Sequence, residues 1–94
     1  MTAEKESFEL VVAGPAARII ANDLPENVAV AVIELLTGAL IENPRRVGKP
    51  LRRELDGIWS ARRGTFRVLY RINDTDHEVV VLRVEHRSTA YRRR

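Results

Sequence analysis

Arg62, Arg67 and Arg87 are the side chains of this sequence best suited to chemistry. A guanidinium stays charged at any ordinary pH and grips a phosphate through two N–H groups at once. If the segments around these arginines are strands, alternation turns all three to one face. There they converge on a phosphate and stabilise charge building on it during transfer. The competing reading is a solvated cationic surface with cross-strand pairs to Glu85. That carboxylate is positioned either to act as general base toward a ribose hydroxyl or to serve as a counter-charge, and a carboxylate stabilised by arginines makes a weak base. Tyr91 follows closely and would stack on a base, donate a proton, or pack against the sheet edge.

His86 points by parity to the buried side of its strand, while His77 falls in a turn and is expected to be solvated. Two isolated histidines without matched carboxylates offer no metal site, and no cofactor motif, Gly-rich phosphate loop or Ser-His-Asp set is visible. The sequence has no cysteine, which removes disulfides, thiolate zinc sites and cysteine nucleophiles. Trp59 and Tyr70 read as core aromatics.

Charge is divided along the chain. Residues 1–42 carry two cations and seven anions, residues 43–94 fourteen cations and six anions, and thirteen of those fourteen are arginine. Such a half suits a nucleic-acid or phosphate partner, though the same asymmetry would also serve a solvated surface or an acidic protein. Lys49, Arg52 and Arg53 form a basic cluster that either tracks an RNA backbone or is simply solvated. Arg63, at a turn, and Arg83, on the final strand, extend the cationic set.

The elements that must position these residues follow from periodicity. Residues 7–12 alternate as an opening strand. Gly14-Pro15 starts a short helix ending near Asp23, with Ala16, Ile19 and Ile20 on one side. Leu24-Pro25 punctuates, and Val28, Val32, Leu35, Leu36, Ala39 and Leu40 trace one stripe of a second helix reaching about Glu42. Residues 45–55 read as an ordered cationic loop. Strands are expected over 58–62, 66–72 and 78–87, joined by turns at Gly64 and at Asn73-Asp74-Thr75-Asp76. Strict alternation sends Trp59, Phe66, Val68, Tyr70, Leu82 and Val84 toward the helices, and Arg62, Arg67, Arg71, Val81, Arg83, Glu85 and Arg87 to the open face.

The expected fold is α+β, in the order β-α-α-β-β-β. An N-terminal helical hairpin packs on one face of a mostly antiparallel four-stranded sheet, and a short basic tail closes the chain. The 94 residues are enough for one modest core, so residues 1–94 are read as a single domain. No signal-peptide pattern or membrane-length apolar run is present, which makes the cytoplasm the expected location.

The run GKPLRRELDGIWSARRGTFRVLYRIND, residues 48–74, with the tail VLRVEHRSTAYRRR, resembles the RelE/ParE superfamily of bacterial toxins. The resemblance covers nearly the whole chain. It implies the toxin of a type II toxin-antitoxin pair: a ribosome-dependent endoribonuclease that cuts the mRNA codon in the aminoacyl site. The ribose 2′-hydroxyl would attack the adjacent phosphate, with Arg67 stabilising the pentacoordinate phosphate, Arg87 neutralising charge there and Tyr91 orienting the nucleotide. Arg62 matches one of two strand lysines in the family's best-studied branch, and Ser60 falls where the other would be. Because arginine is a poor general base, the proton acceptor stays open, with Glu85 and His86 as candidates. The implied partners are a RelB-like antitoxin, the ribosome and mRNA. Operator DNA would be reached only through the antitoxin complex, and no membrane is implied. Two other readings fit the same residues: a ParE-type inhibitor of DNA gyrase, and a non-catalytic ribosome- or RNA-binding inhibitor of translation.

Overall fold

The computed structural model describes residues 6–52 and 56–87. Its strands are β1 (Glu9–Val12), β2 (Lys49–Pro50), β3 (Trp59–Arg63), β4 (Phe66–Asn73) and β5 (Glu78–His86), joined in one sheet in the order β1-β5-β4-β3-β2. β1 runs parallel to β5 and the other neighbours are antiparallel. The α+β layering expected from periodicity is present, with five strands where four were expected. The extra strand comes from the segment read as a loop. Pro44, whose ring presets a helical φ, opens a short helix, α4 (Pro44–Val47), and the chain then pairs along β3. Leu51 N–H continues that ladder to the Ile58 carbonyl at 2.8 Å. Pro50 has no N–H to give a further strand, so β2 can only be an edge.

The first helical segment is α1 (Gly14–Arg18), continued by a π-helical turn, Ile19–Asp23. The second divides into α2 (Glu26–Thr37) and α3 (Ala39–Glu42) at Gly38, whose φ of −122° and ψ of −101° lie outside the helical region. The apolar stripe survives the break: Val32, Leu35, Leu36 and Leu40 are buried, with Val28 and Ala39 packed against them.

The final strand corrects the expectation of strict alternation. Leu69 pairs with Arg83 but Tyr70 pairs with Val81, so Leu82 is an extra residue in β5, a bulge that shifts the register between Leu69 and Tyr70. A bulge reverses side-chain parity on one side of itself. Val79 and Val81 are therefore buried beneath the helices, whereas Leu82, expected there, is only partly buried. Beyond the bulge Val84 and His86 face the core while Arg83 and Glu85 stay on the open side, as expected.

Two turns fix the register. Arg63 opposite Phe66 leaves Gly64-Thr65 as a two-residue loop, and Gly64 takes a positive φ of 53°, the conformation a II′ hairpin needs at its first central residue. Between β4 and β5, Asn73 Oδ1 accepts the Asp76 N–H at 3.1 Å and His77 adopts a φ of 57°. His77 is exposed as expected, yet its ring also stacks on Phe8 with centroids 3.9 Å apart, which holds the start of β1 against the turn.

Tyr70 ties the sheet to the basic segment. It is completely buried, stacks on the partly buried Trp59 at 6.4 Å, and donates its hydroxyl to the Pro44 carbonyl at 2.6 Å. Gly48 lies against this hydroxyl, and a Cβ there would also sit 2.7 Å from the Ser60 carbonyl oxygen. Glycine is demanded here by close approach of a buried ring and a strand backbone. Burial pushes the Tyr70 phenol up to about 12.

Two outcomes follow. Gly48→Ala should cost about 2–4 kcal/mol in urea unfolding, since neither neighbour can yield, whereas Gly14→Ala, with open space around it, should change stability by less than about 0.5 kcal/mol. A folded-state pKa above the unfolded value means stability is full below pH 10 and falls as pH rises toward 12. The urea midpoint should therefore drop across that window, and Tyr70→Phe should abolish this component while losing the Pro44 bond at all pH values.

Candidate functional site

The register of β3, β4 and β5 places Arg62 directly opposite Arg67, and Arg67 directly opposite Glu85. The three side chains make one row on the open face. Arg67 donates Nε–H and Nη2–H to the same Glu85 oxygen at 3.1 and 2.5 Å, and Arg83 Nε lies 3.8 Å from the other oxygen. Like charges directly opposite each other on adjacent strands destabilise a sheet. Glu85 relieves Arg67 of this repulsion, but Arg62 forms no ion pair among the described residues. Arg87 follows immediately after β5, exposed and likewise without an ion pair among them.

Arg62, Arg67, Arg83, Glu85, His86 and Arg87 line a single cleft of about 1010 Å³ at the end of the sheet where the β3–β4 turn meets the end of β5. Its other wall is helical, formed by Pro15, Arg18, Ile19 and Asp23. Arg18 and Asp23 were not singled out in the sequence. The available signal was Arg18 itself, one of only two cations in an otherwise acidic first half.

His86 is buried at the core side of β5, as parity indicated, with Nε2 3.0 Å from Thr65 Oγ1. Glu85 has both carboxylate oxygens facing guanidinium groups, an arrangement that suits a counter-charge better than a proton acceptor. Lys49 stands opposite Ser60 on the open face, and Ser60 opposite Leu69, so the row beside the arginines runs Lys49, Ser60, Leu69, Arg83. Arg63 is exposed at the end of β3 on the helical side, and Arg52 is exposed beyond β2. Arg71 is exposed further along β4 and outside the cleft lining. Arg53 and Tyr91, together with the basic tail, lie outside the described residues.

Arg45, at the start of the segment expected to be a cationic loop, forms a bidentate pair with Asp74 at 3.2 and 2.7 Å, tying α4 to the β4–β5 turn. The Arg45 guanidinium holds the Asp74 carboxyl below its ordinary range, and Asp74 raises Arg45 in return. This cation serves the scaffold and is removed from the count available to a ligand. Among the described residues, no cluster of three or more histidine, aspartate or glutamate side chains could hold a metal ion, and no helix is long and apolar enough to cross a membrane.

Comparison with known proteins places this geometry in a family. Residues 15–91 match the family described as the ParE toxin of type II toxin-antitoxin system, parDE. The chain is 57% identical over 72 residues to Toxin RelG of Mycobacterium tuberculosis, spanning 77% of this chain and 83% of that protein. It is 44% identical over 85 residues to Toxin RelE of the same organism, spanning 90% of this chain and 87% of that protein. Among solved structures, a chain of the M. tuberculosis toxin-antitoxin complex RelBE2 superposes with a TM-score of 0.83 at 48% identity, covering 86% of this chain and 99% of that one. The isolated Escherichia coli RelE toxin shares the fold at a TM-score of 0.71 and 20% identity, over 92% of this chain and 93% of that one. With both sequence and fold matched over most of its length, the chain belongs to the RelE/ParE superfamily of type II toxin-antitoxin toxins.

Proposed function

We propose that this toxin is a ribosome-dependent endoribonuclease that cuts mRNA in the aminoacyl site, and that a RelB-like antitoxin neutralises it. The observation that carries the reading is the convergence of Arg62, Arg67 and Arg87 on one cleft, two of them without an ion pair among the described residues. Such a concentration of positive charge repels itself until an anion enters, and a phosphodiester is the anion that planar guanidinium groups fit best.

In the reaction the 2′-oxygen of a ribose attacks the adjacent phosphorus and loses its proton. The bond from phosphorus to the 5′-oxygen breaks, that oxygen gains a proton, and a cyclic phosphate and a 5′-hydroxyl result. Arg67 stabilises the pentacoordinate phosphate, Arg87 neutralises charge at the same centre, and Arg62 completes the cradle. Tyr91 orients or stacks the nucleotide, and Lys49, Arg52, Arg53, Arg63 and Arg83 supply contacts to RNA or the ribosome. Neither candidate for the proton acceptor is assigned the role: Glu85 is held by guanidinium groups, and His86 is buried on the core side of β5 beside Thr65. Much of the rate comes from orientation of an RNA already held by the ribosome, which lessens the demand on acid-base groups. The antitoxin assignment draws on the RelBE2 complex, whose toxin chain is 48% identical to this one. Operator DNA would be bound through that complex.

The ParE description of the matching family favours a second reading, inhibition of DNA gyrase. It needs no phosphate cradle, and induction would then change plasmid supercoiling without creating new mRNA ends.

Induced expression should halt growth and yield 5′-hydroxyl mRNA ends within codons. Arg67→Ala and Arg87→Ala should each lower cleavage at least about a hundredfold, the cost of removing one transition-state donor. Arg67→Lys should lose most of that activity too, because its geometry is not bidentate; full growth arrest by Arg67→Lys would point to inhibition by occupancy alone. Glu85→Gln should keep cleavage within about tenfold of wild type if Glu85 is a counter-charge, a loss of several orders would identify it as the base. The same variant should melt a few degrees lower in low salt, equivalent to no more than about 1 kcal/mol, with the gap closing in inorganic phosphate.

A further inference from the structure

The helical wall of the cleft is not neutral. Arg18, in the last turn of α1, lines the same cleft as the sheet arginines, together with Asp23 at the end of the π turn. Arg18 is exposed and forms no ion pair among the described residues. Its placement on this wall follows from a local device. Pro15 starts the helix after the Ala13 N–H has closed on the Val81 carbonyl at 2.9 Å, and Ala16 is buried against the core, which leaves Arg18 outside it. The cleft thus offers cations on two walls belonging to different layers of the fold, while its carboxylates, Glu85 and Asp23, both have interaction partners.

Arg62 and Arg67 stand on the open face of the sheet while Arg18 belongs to the helical layer. A phosphorus seated against the sheet row to meet Arg62, Arg67 and Arg87 therefore leaves Arg18 as a contact for another part of a polyanion. A polyanion passing between the walls places its next phosphate away from that row. We infer that Arg18 is a second phosphate-binding position, holding the mRNA phosphate beside the scissile one, so that the strand is threaded between α1 and the end of the sheet. This rests on the nuclease reading above. Arg18 contributes to binding and register and touches no reacting atom, so it is a positioning residue.

The test uses the full chain and ribosomes carrying a short mRNA, made uncleavable for binding by a 2′-deoxy sugar at the cut site and left natural for single-turnover cleavage. Arg18→Ala should weaken binding about tenfold, the scale of one charge-assisted contact at a partly exposed site, and leave the saturated single-turnover rate within about twofold of wild type. Arg18→Lys should recover most of the affinity. Replacing one neighbouring linkage by a neutral methylphosphonate should cost wild type the same factor and cost Arg18→Ala nothing more, the non-additivity expected of two groups in one contact. Unchanged affinity in Arg18→Ala, additive losses at both neighbouring linkages, or a slowed single-turnover step at unchanged affinity would each overturn the inference. If wild type fails to cut the natural mRNA on the ribosome, it is the nuclease reading that falls.

Discussion

The structure depends on a register that sets two arginines directly opposite each other. Arg62 opposes Arg67 across β3 and β4, a pairing that raises the energy of the sheet, and Glu85 on the next strand offsets only part of it. The pairing cannot slip away, because the Gly64-Thr65 turn is too short to allow another register and the core residues Ala61, Phe66 and Val68, interleaved with the arginines, are buried. Repulsion is thus built into a rigid element, and an anion brought from outside would relieve it. A site of this kind is prepared before its ligand arrives, which is the condition for electrostatic stabilisation without reorganisation.

The remaining architecture keeps that register and aims it. The Leu82 bulge lets β5 bury Val79 and Val81 at one end and still present Arg83 and Glu85 to the open face at the other. Without it, either the core would lose two valines or the row would lose its carboxylate. The Tyr70 hydroxyl on the Pro44 carbonyl, passing over Gly48, holds the basic segment onto the sheet so that Lys49 stands beside the arginine row. At the far end, Arg45 and Asp74 neutralise each other and tie α4 to the β4–β5 turn.

The layering, the inward helix stripe and the common face of Arg62, Arg67 and Glu85 were legible because each follows from a period of 3.6 or 2 in residues whose burial dominates the energy. What escaped was decided by contacts distant in sequence. The Leu82 bulge depends on how β5 packs under helices that come much earlier in the chain. The pairing of Lys49 and Pro50 depends on β3, and a two-residue strand has no period to read. The helix break at Gly38 was hidden because the apolar stripe continues through it. Arg18 was overlooked for a related reason: its neighbours in sequence are acidic or apolar, and its cationic company is assembled only when α1 packs beside β5. Family resemblance supplied the chemical roles, which neither spacing nor geometry alone would have assigned to particular arginines.

The central claim is that Arg62, Arg67 and Arg87 address one phosphodiester. It is tested most directly by following their side-chain Nε–H resonances by NMR while titrating a short RNA carrying a single 2′-deoxy sugar. The three resonances should move together along one binding curve, with Arg71, outside the cleft, unmoved. Separate curves, or movement of Arg71 in place of the three, would contradict it.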